Sequence, residues 1–144
     1  MGRYVGLPEL IMILPLLLFV LPAILYLLTL RRAITVCAPE NQKFSPALVW
    51  LLLLPVFNLI WHFFVVLGVS RSTRSEFLTR RVIDPPRSTL AFGLAMCTLS
   101  ILALVPGLSA LAGLGAFAAW VVYWVKVARD AREIAISPEV QIES

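Results

Sequence analysis

An asparagine and a histidine one helical turn apart in an apolar run are expensive to place, so their chemistry sets the first question. In PVFNLIWHF, residues 55–63, Asn58 and His62 stand near the middle of a hydrophobic stretch. At about 100° per helical residue, Pro55, Asn58 and His62 fall on one stripe. A proline at 55 inside a helix would also leave the carbonyl of Leu51 without its donor. Three kinds of chemistry suit His62: a packing residue hydrogen-bonded between helices, an axial ligand to a haem or chlorophyll-type ring, or a proton relay. The chain has one His, so a haem ligated by two histidines would need a second subunit. Asn58 wants a partner in hydrocarbon, and Thr98 or Ser100 on a neighbouring helix could supply one, worth about 1 kcal/mol.

Other reactive residue types are sparse. Glu9 follows Pro8 at the start of an apolar run, where a carboxylate favours the positive end of the helix dipole; a capping role is expected there rather than ion binding. No other acid lies within an apolar run, so a carboxylate relay is absent. Cys37 sits in a polar stretch and Cys97 in an apolar one, with neither the spacing of a metal site nor a disulfide framework. There is no GxSxG, no HExxH and no phosphate-cradling glycine loop. The residues therefore predict no catalytic site, no metal site and no enzyme.

The elements that must carry these residues follow from composition. Of 144 residues, 60% are hydrophobic and 14% charged, against roughly a quarter charged in soluble domains. A bilayer core needs about 20 apolar residues of helix, because an unpaired peptide group in hydrocarbon costs several kcal/mol. Four runs meet or approach that length, at about 7–30, 46–69, 88–105 and 108–125. The first is longer than a signal-peptide core of roughly 7–15 residues and is expected to remain as a span, kinked at Pro15 and Pro22. Ser45-Pro46 marks the start of the second helix, and Pro106-Gly107 marks a tight turn between the third and fourth. The spans predict an all-α polytopic membrane protein, a single domain over 1–144, with about four transmembrane helices in two hairpins. Helix extensions are expected at about 70–83 and 126–136, with a polar tail at 137–144.

The fourth run carries Ser109/Gly113, Ala112/Ala116 and Gly115/Ala119 at small-xxx-small spacing, which predicts close contact with another helix of this chain or of a partner. Trp120, Tyr123 and Trp124 beside Lys126 read as an interfacial aromatic belt, with Trp50 as its counterpart on the other side. The net charge of +4 comes from residues at the ends of apolar runs, which points to topology signals and lipid phosphates rather than nucleic acid. With four spans, nine Lys and Arg fall on one side and Arg31, Arg32 and Lys43 on the other. That bias predicts both termini in the cytoplasm and Cys37 reachable from outside. VSRSTRSE at 69–76 and VARDARE at 127–133 are alike, either as duplicated hairpins or as helices that simply leave on the same side.

The stretch NQKFSPALVWLLLLPVFNLIWHFFVVLGVSRSTRSEF, with AFGLAMC and WVVYWVKVA, resembles small uncharacterised bacterial multi-span membrane proteins that carry a P-x-F-N-L-x-W segment. The resemblance implies a bacterial membrane address and nothing about mechanism; the expected location is the bacterial cytoplasmic (inner) membrane. The expected role is a non-catalytic membrane subunit or scaffold that packs with other subunits or with copies of itself. Alternatives are a small oligomeric channel or transporter, and a pigment- or haem-binding accessory subunit of a photosynthetic or respiratory complex using His62.

Overall fold

The computed structural model describes residues 6–80 and 88–137, and among them every regular element is helical. Four α-helices form: α1 Leu7–Thr35, α2 Pro55–Thr79, α3 Ser88–Leu102 and α4 Ser109–Ile136. A 3-10 turn at Pro39–Asn41 and a 3-10 helix at Pro46–Leu53 join α1 to α2. By length and composition α1 and α4 could each cross a membrane, while α3 is apolar but shorter.

Local chemistry explains where the helices begin and end. The Glu9 carboxylate accepts the Gly6 N–H at 2.6 Å, closing a first turn that also holds Pro8. Pro15 and Pro22 lie within α1, which runs on past Arg31 and Arg32 to Thr35. Pro106-Gly107 lies in the turn between α3 and α4; Gly107 has φ +91°, a conformation that side chains with a Cβ seldom adopt.

The second apolar run departs from expectation. Residues 46–69 are not one helix: the 3-10 helix ends at Leu53, Leu54 is extended with ψ 111°, and α2 starts at Pro55. The chain then doubles back. Trp61 donates its indole N–H to the Leu48 carbonyl at 2.9 Å, and Lys43 N–H donates to the Ser72 hydroxyl at 2.9 Å. A Cβ on Gly68 would come within 2.6 Å of the Phe44 ring. In one continuous helix residues 44 and 68 would stand about 36 Å apart. Pro55 therefore acts as a helix starter whose missing N–H costs nothing, not as a mid-helix kink. The Leu51 carbonyl predicted to be freed accepts from the Leu54 N–H at 3.1 Å. Of Pro55 only the backbone is described.

The return of α2 makes α1, α2 and α4 run parallel. Tyr26 is level with His62, Trp120 and Tyr123; further along, Thr29 accepts from Trp124, and Ala38 N–H donates to Glu76. Only α3 runs the other way, with Thr89 on Asp130, Gly93 beside Tyr123, and Leu99 beside Gly115. The like segments at 69–76 and 127–133 accordingly leave at the same end. So do Arg31, Arg32 and Lys43, contrary to the predicted split of charge. The described Lys and Arg residues all gather at this end. In the same way, α1 begins at the end of the bundle opposite the one where α4 finishes.

The core lies in the half of the bundle nearer the charged end. Leu30, Ile34, Val49, Val65, Val66, Tyr123 and Val127 are fully buried there. Gly93 lets α3 approach: a Cβ at this position would lie 2.5 Å from Val66 Cγ1 and 2.8 Å from Tyr123 Cε2. Gly93→Leu is expected to lower stability by about 1–3 kcal/mol through overpacking, read as a lower midpoint of thermal unfolding in detergent. In the other half α1 stands largely alone. Met12, Leu14, Leu16, Leu17 and Phe19 point to all sides of the helix, and each is more than half exposed.

Candidate functional site

Two polar clusters emerge, and only one contains the residues singled out by sequence. In the first, the Tyr26 hydroxyl and His62 Nε2 are hydrogen-bonded at 2.8 Å, which joins α1 to α2. The Tyr26 ring also meets His62, Trp120, Tyr123 and Trp124 at centroid distances of 5.7, 5.5, 6.4 and 6.0 Å. The predicted aromatic belt is thus largely an internal cluster, because Tyr123 is fully buried and Trp120 and Trp124 turn toward Tyr26. Trp50 is exposed on the 3-10 helix.

Asn58 shares the predicted stripe with His62 but lacks the predicted partner. Its Oδ1 is buried without a hydrogen bond. Ser100 lines the same small cavity, about 70 Å³, but donates to the Met96 carbonyl, and Thr98 donates to Leu94. Each hydroxyl bonds back into its own helix. A second cavity of about 240 Å³ opens on the other side of Asn58 and His62, between Tyr26, Leu52, Leu53 and Trp120. That is below the roughly 300–1,000 Å³ of common ligand pockets, and His62 Nε2 already has a partner. A tetrapyrrole metal held through Nε2 would have to displace Tyr26. Asn58 can instead accept one hydrogen bond from a small donor in either cavity.

Tyr26→Phe should remove one part-buried hydrogen bond and lower stability by about 1 kcal/mol, measured by thermal unfolding. No change would mean that the Tyr26–His62 pair contributes nothing to the joint between α1 and α2.

The second cluster is built on Glu76 and Arg80, whose i,i+4 spacing allows an ion pair; their partners in the loop and on α4 were not anticipated. At the charged end Glu76 is 1% exposed, and its carboxylate accepts from three groups: Ala38 N–H and Asn41 Nδ2, each at 2.9 Å, and Arg80 Nε at 2.8 Å. Asn41 Oδ1 accepts from Ser75, and Arg80 donates onward to the carbonyls of Ile134 and Ser137. One carboxylate therefore ties the loop after α1, the end of α2 and the end of α4. Burial alone would raise the Glu76 carboxyl, but the bonds from Asn41, Arg80 and Ala38 outweigh it and hold the group below its ordinary value.

Cys37 is packed under this cluster, 3% exposed, and its thiol donates to Ala33 O. Burial first, then the Glu76 charge, push it up to about 12. The thiol expected to be reachable is instead covered, and it stays protonated. Cys97 is buried too, and both cysteines are free. Among the described residues no three His, Cys, Asp or Glu side chains converge as metal ligands.

Asp130 is buried on α4 and accepts from Thr89 at 2.8 Å. Burial, with a smaller push from Glu133, raises its carboxyl to about 6 against the Thr89 bond and the Lys126 and Arg129 charges. A carboxyl raised on folding binds its proton more tightly in the native state. Its contribution is therefore greatest below the ordinary value near 4 and falls as pH rises to about 6. Asp130→Asn should abolish that slope and leave the chain at least as stable at pH 7, read from unfolding midpoints across pH 4–7. A variant with the slope intact would place the titration elsewhere.

The small-residue stripe divides between two faces. Ala112 and Ala119 are buried, and a Cβ on Gly115 would meet Leu99 of α3 at 3.3 Å. Ser109 is exposed, Gly113 has open space beside it, and Ala116 is half-buried between the two faces. Part of the stripe therefore packs inside the chain and part stays open.

These features define an all-helical chain with two membrane-length helices. No family model matches it, and no curated protein or solved structure matches it either.

Proposed function

We propose that this chain is an integral protein of the bacterial inner membrane that crosses the bilayer three times, through α1, α3 and α4. In this reading the 3-10 helix and α2 form a re-entrant hairpin that enters from and returns to the cytoplasmic side. The observation that carries it is the gathering of the described Lys and Arg at one end of the bundle, where positive charge favours the cytoplasm. The eight-residue 3-10 helix reaches about 16 Å at about 2.0 Å per residue, so it turns inside the hydrocarbon. Non-helical backbone at that depth is tolerated when protein covers it; Val49 and Leu52 are buried against the core. On this arrangement α1 starts outside and α4 ends inside.

The role that fits best is a non-catalytic subunit packing with other membrane proteins or with copies of itself. The hairpin stops partway, so α1 has no neighbour around residues 11–19, and Gly113 leaves α4 open to a close contact. Mild solubilisation followed by a native gel should give a species larger than the monomer or one with a co-purifying protein. Migration as a bare monomer would contradict the subunit role while leaving the membrane reading intact.

Asn58 favours a second reading, a small channel or transporter. A broken segment with an unpaired buried acceptor beside a cavity is the sort of feature found at transport sites. Flux through liposomes unchanged by Asn58→Leu and His62→Leu would remove it.

A further inference from the structure

Between α1 and α4 at the charged end runs a groove of about 480 Å³, rimmed by Arg32 and Arg132. Its deeper wall is apolar, with Leu25 and Leu28 from α1 and Trp124 and Ala128 from α4. The parallel course of the two helices produces this order. On each, an apolar residue sits one turn before the arginine, so both sequences pass from apolar to cationic in the same direction. The Thr29 hydroxyl within the groove is already engaged: it donates to the Leu25 carbonyl at 2.8 Å and accepts from Trp124 Nε1 at 2.9 Å.

The two guanidiniums are the free polar capacity of the groove. Among the described residues neither has a side-chain hydrogen bond or an ion pair, whereas Arg80 pairs with Glu76 and Arg129 with Glu133. A guanidinium pair above an apolar slot complements a molecule with a phosphate at its head and a hydrocarbon tail. A second cationic hollow, formed by Lys43, Arg71 and Arg74, provides the contrast: Leu78 is its one apolar lining residue, so it has charge without a slot for a chain.

We infer that the α1–α4 groove binds one anionic phospholipid of the cytoplasmic leaflet, its phosphate between Arg32 and Arg132 and an acyl chain along Leu25, Leu28 and Ala128. This assignment rests on the membrane reading above. Lipid seated there would bridge α1 to α4 on the face that protein leaves uncovered.

The test reconstitutes the full chain in nanodiscs of phosphatidylcholine with a minority of phosphatidylglycerol, extracts it gently and counts retained lipids by native mass spectrometry. Wild type should retain phosphatidylglycerol in preference to phosphatidylcholine. R32Q/R132Q should reduce that preference roughly tenfold or more, and A128L, which fills the slot without changing charge, should reduce it as well. R71Q/R74Q removes the same charge elsewhere and should leave the preference in place. All five positions are exposed, so the variants should unfold at the wild-type midpoint.

An equal loss in R71Q/R74Q would overturn the proposal in favour of general surface electrostatics. Full preference in A128L would overturn the acyl slot. Release of the lipid by excess inorganic phosphate would show a site for free anion instead. Failure of the membrane reading would look different: wild type would leave the membrane in an alkaline carbonate wash.

Discussion

Glu76→Ala is expected to cost about 3–5 kcal/mol, because it strips one member from a buried, hydrogen-bonded ion pair and strands the other. Arg80 would lose its 2.8 Å partner while its side chain stays 11% exposed. Ala38 N–H and Asn41 Nδ2 would lose their acceptor as well. Asn41 would keep only Thr79, at 3.1 Å, and Ser75. Because the carboxylate joins three segments, the loss should loosen the loop at 37–43 and the end of α4 together. Glu76→Gln, which keeps one acceptor oxygen, should fall between Ala and wild type.

The measurement is thermal unfolding in detergent, with protease nicking of the loop as a local readout. A Glu76→Ala variant within about 0.5 kcal/mol of wild type, the range of ordinary surface changes, would mean that the cluster does not hold this end together. The pH dependence has a definite sign. The Glu76 carboxyl is held below its ordinary value, so its contribution is complete above that value and is lost on acidification through the native one. Asp130 acts in the opposite sense, contributing more as pH falls from about 6. Glu76→Gln should therefore flatten the acid limb and leave the Asp130 slope.

Tyr123→Ala should be comparably severe. The side chain is fully buried, lies within 6.4 Å of the Tyr26 ring centre, and closes against Gly93 of α3. Truncating a buried aromatic costs about 3–5 kcal/mol, since the surrounding structure collapses only partly into the cavity. Gly93 opposite it cannot fill the space. Tyr123→Phe keeps the packed ring and removes only a buried hydroxyl that faces Ser70 without a well-formed hydrogen bond, so it should cost far less than Ala. If Ala and Phe destabilise equally, ring packing at this position is not what joins α1, α3 and α4.

Much of the helical framework was legible because apolar length and proline or glycine punctuation are local signals. Glu9 at the start of α1 and Pro106-Gly107 between α3 and α4 behave as their sequence context implies. The run at 46–69 was misleading for a physical reason. A hairpin folded back in an apolar setting has the composition of a spanning helix, and its length matched one. The clue was Pro55: proline inside a helix and proline at its first position are the same letter, and only tertiary contact decides between them.

Of the candidate polar site, the shared face of Asn58 and His62 was readable from spacing, whereas Tyr26 as the partner was not, since it comes from another helix. The Glu76 cluster pairs residues 35 and 38 positions apart. Its local trace was the i,i+4 spacing of Glu76 and Arg80, which resembles any solvated face until the loop is laid over it.

The proposed arrangement puts the reversal at Leu54 within a chain that crosses three times. It is tested most directly with single cysteines placed at the exposed positions Glu40 and Pro106, each in a chain with Cys37 and Cys97 replaced by Ala, and labelled in intact cells with a membrane-impermeant maleimide. The account predicts labelling at position 106 and protection at position 40 until the cells are opened. Labelling of both positions from outside would restore a second run that crosses as a single span, and would contradict the re-entrant hairpin.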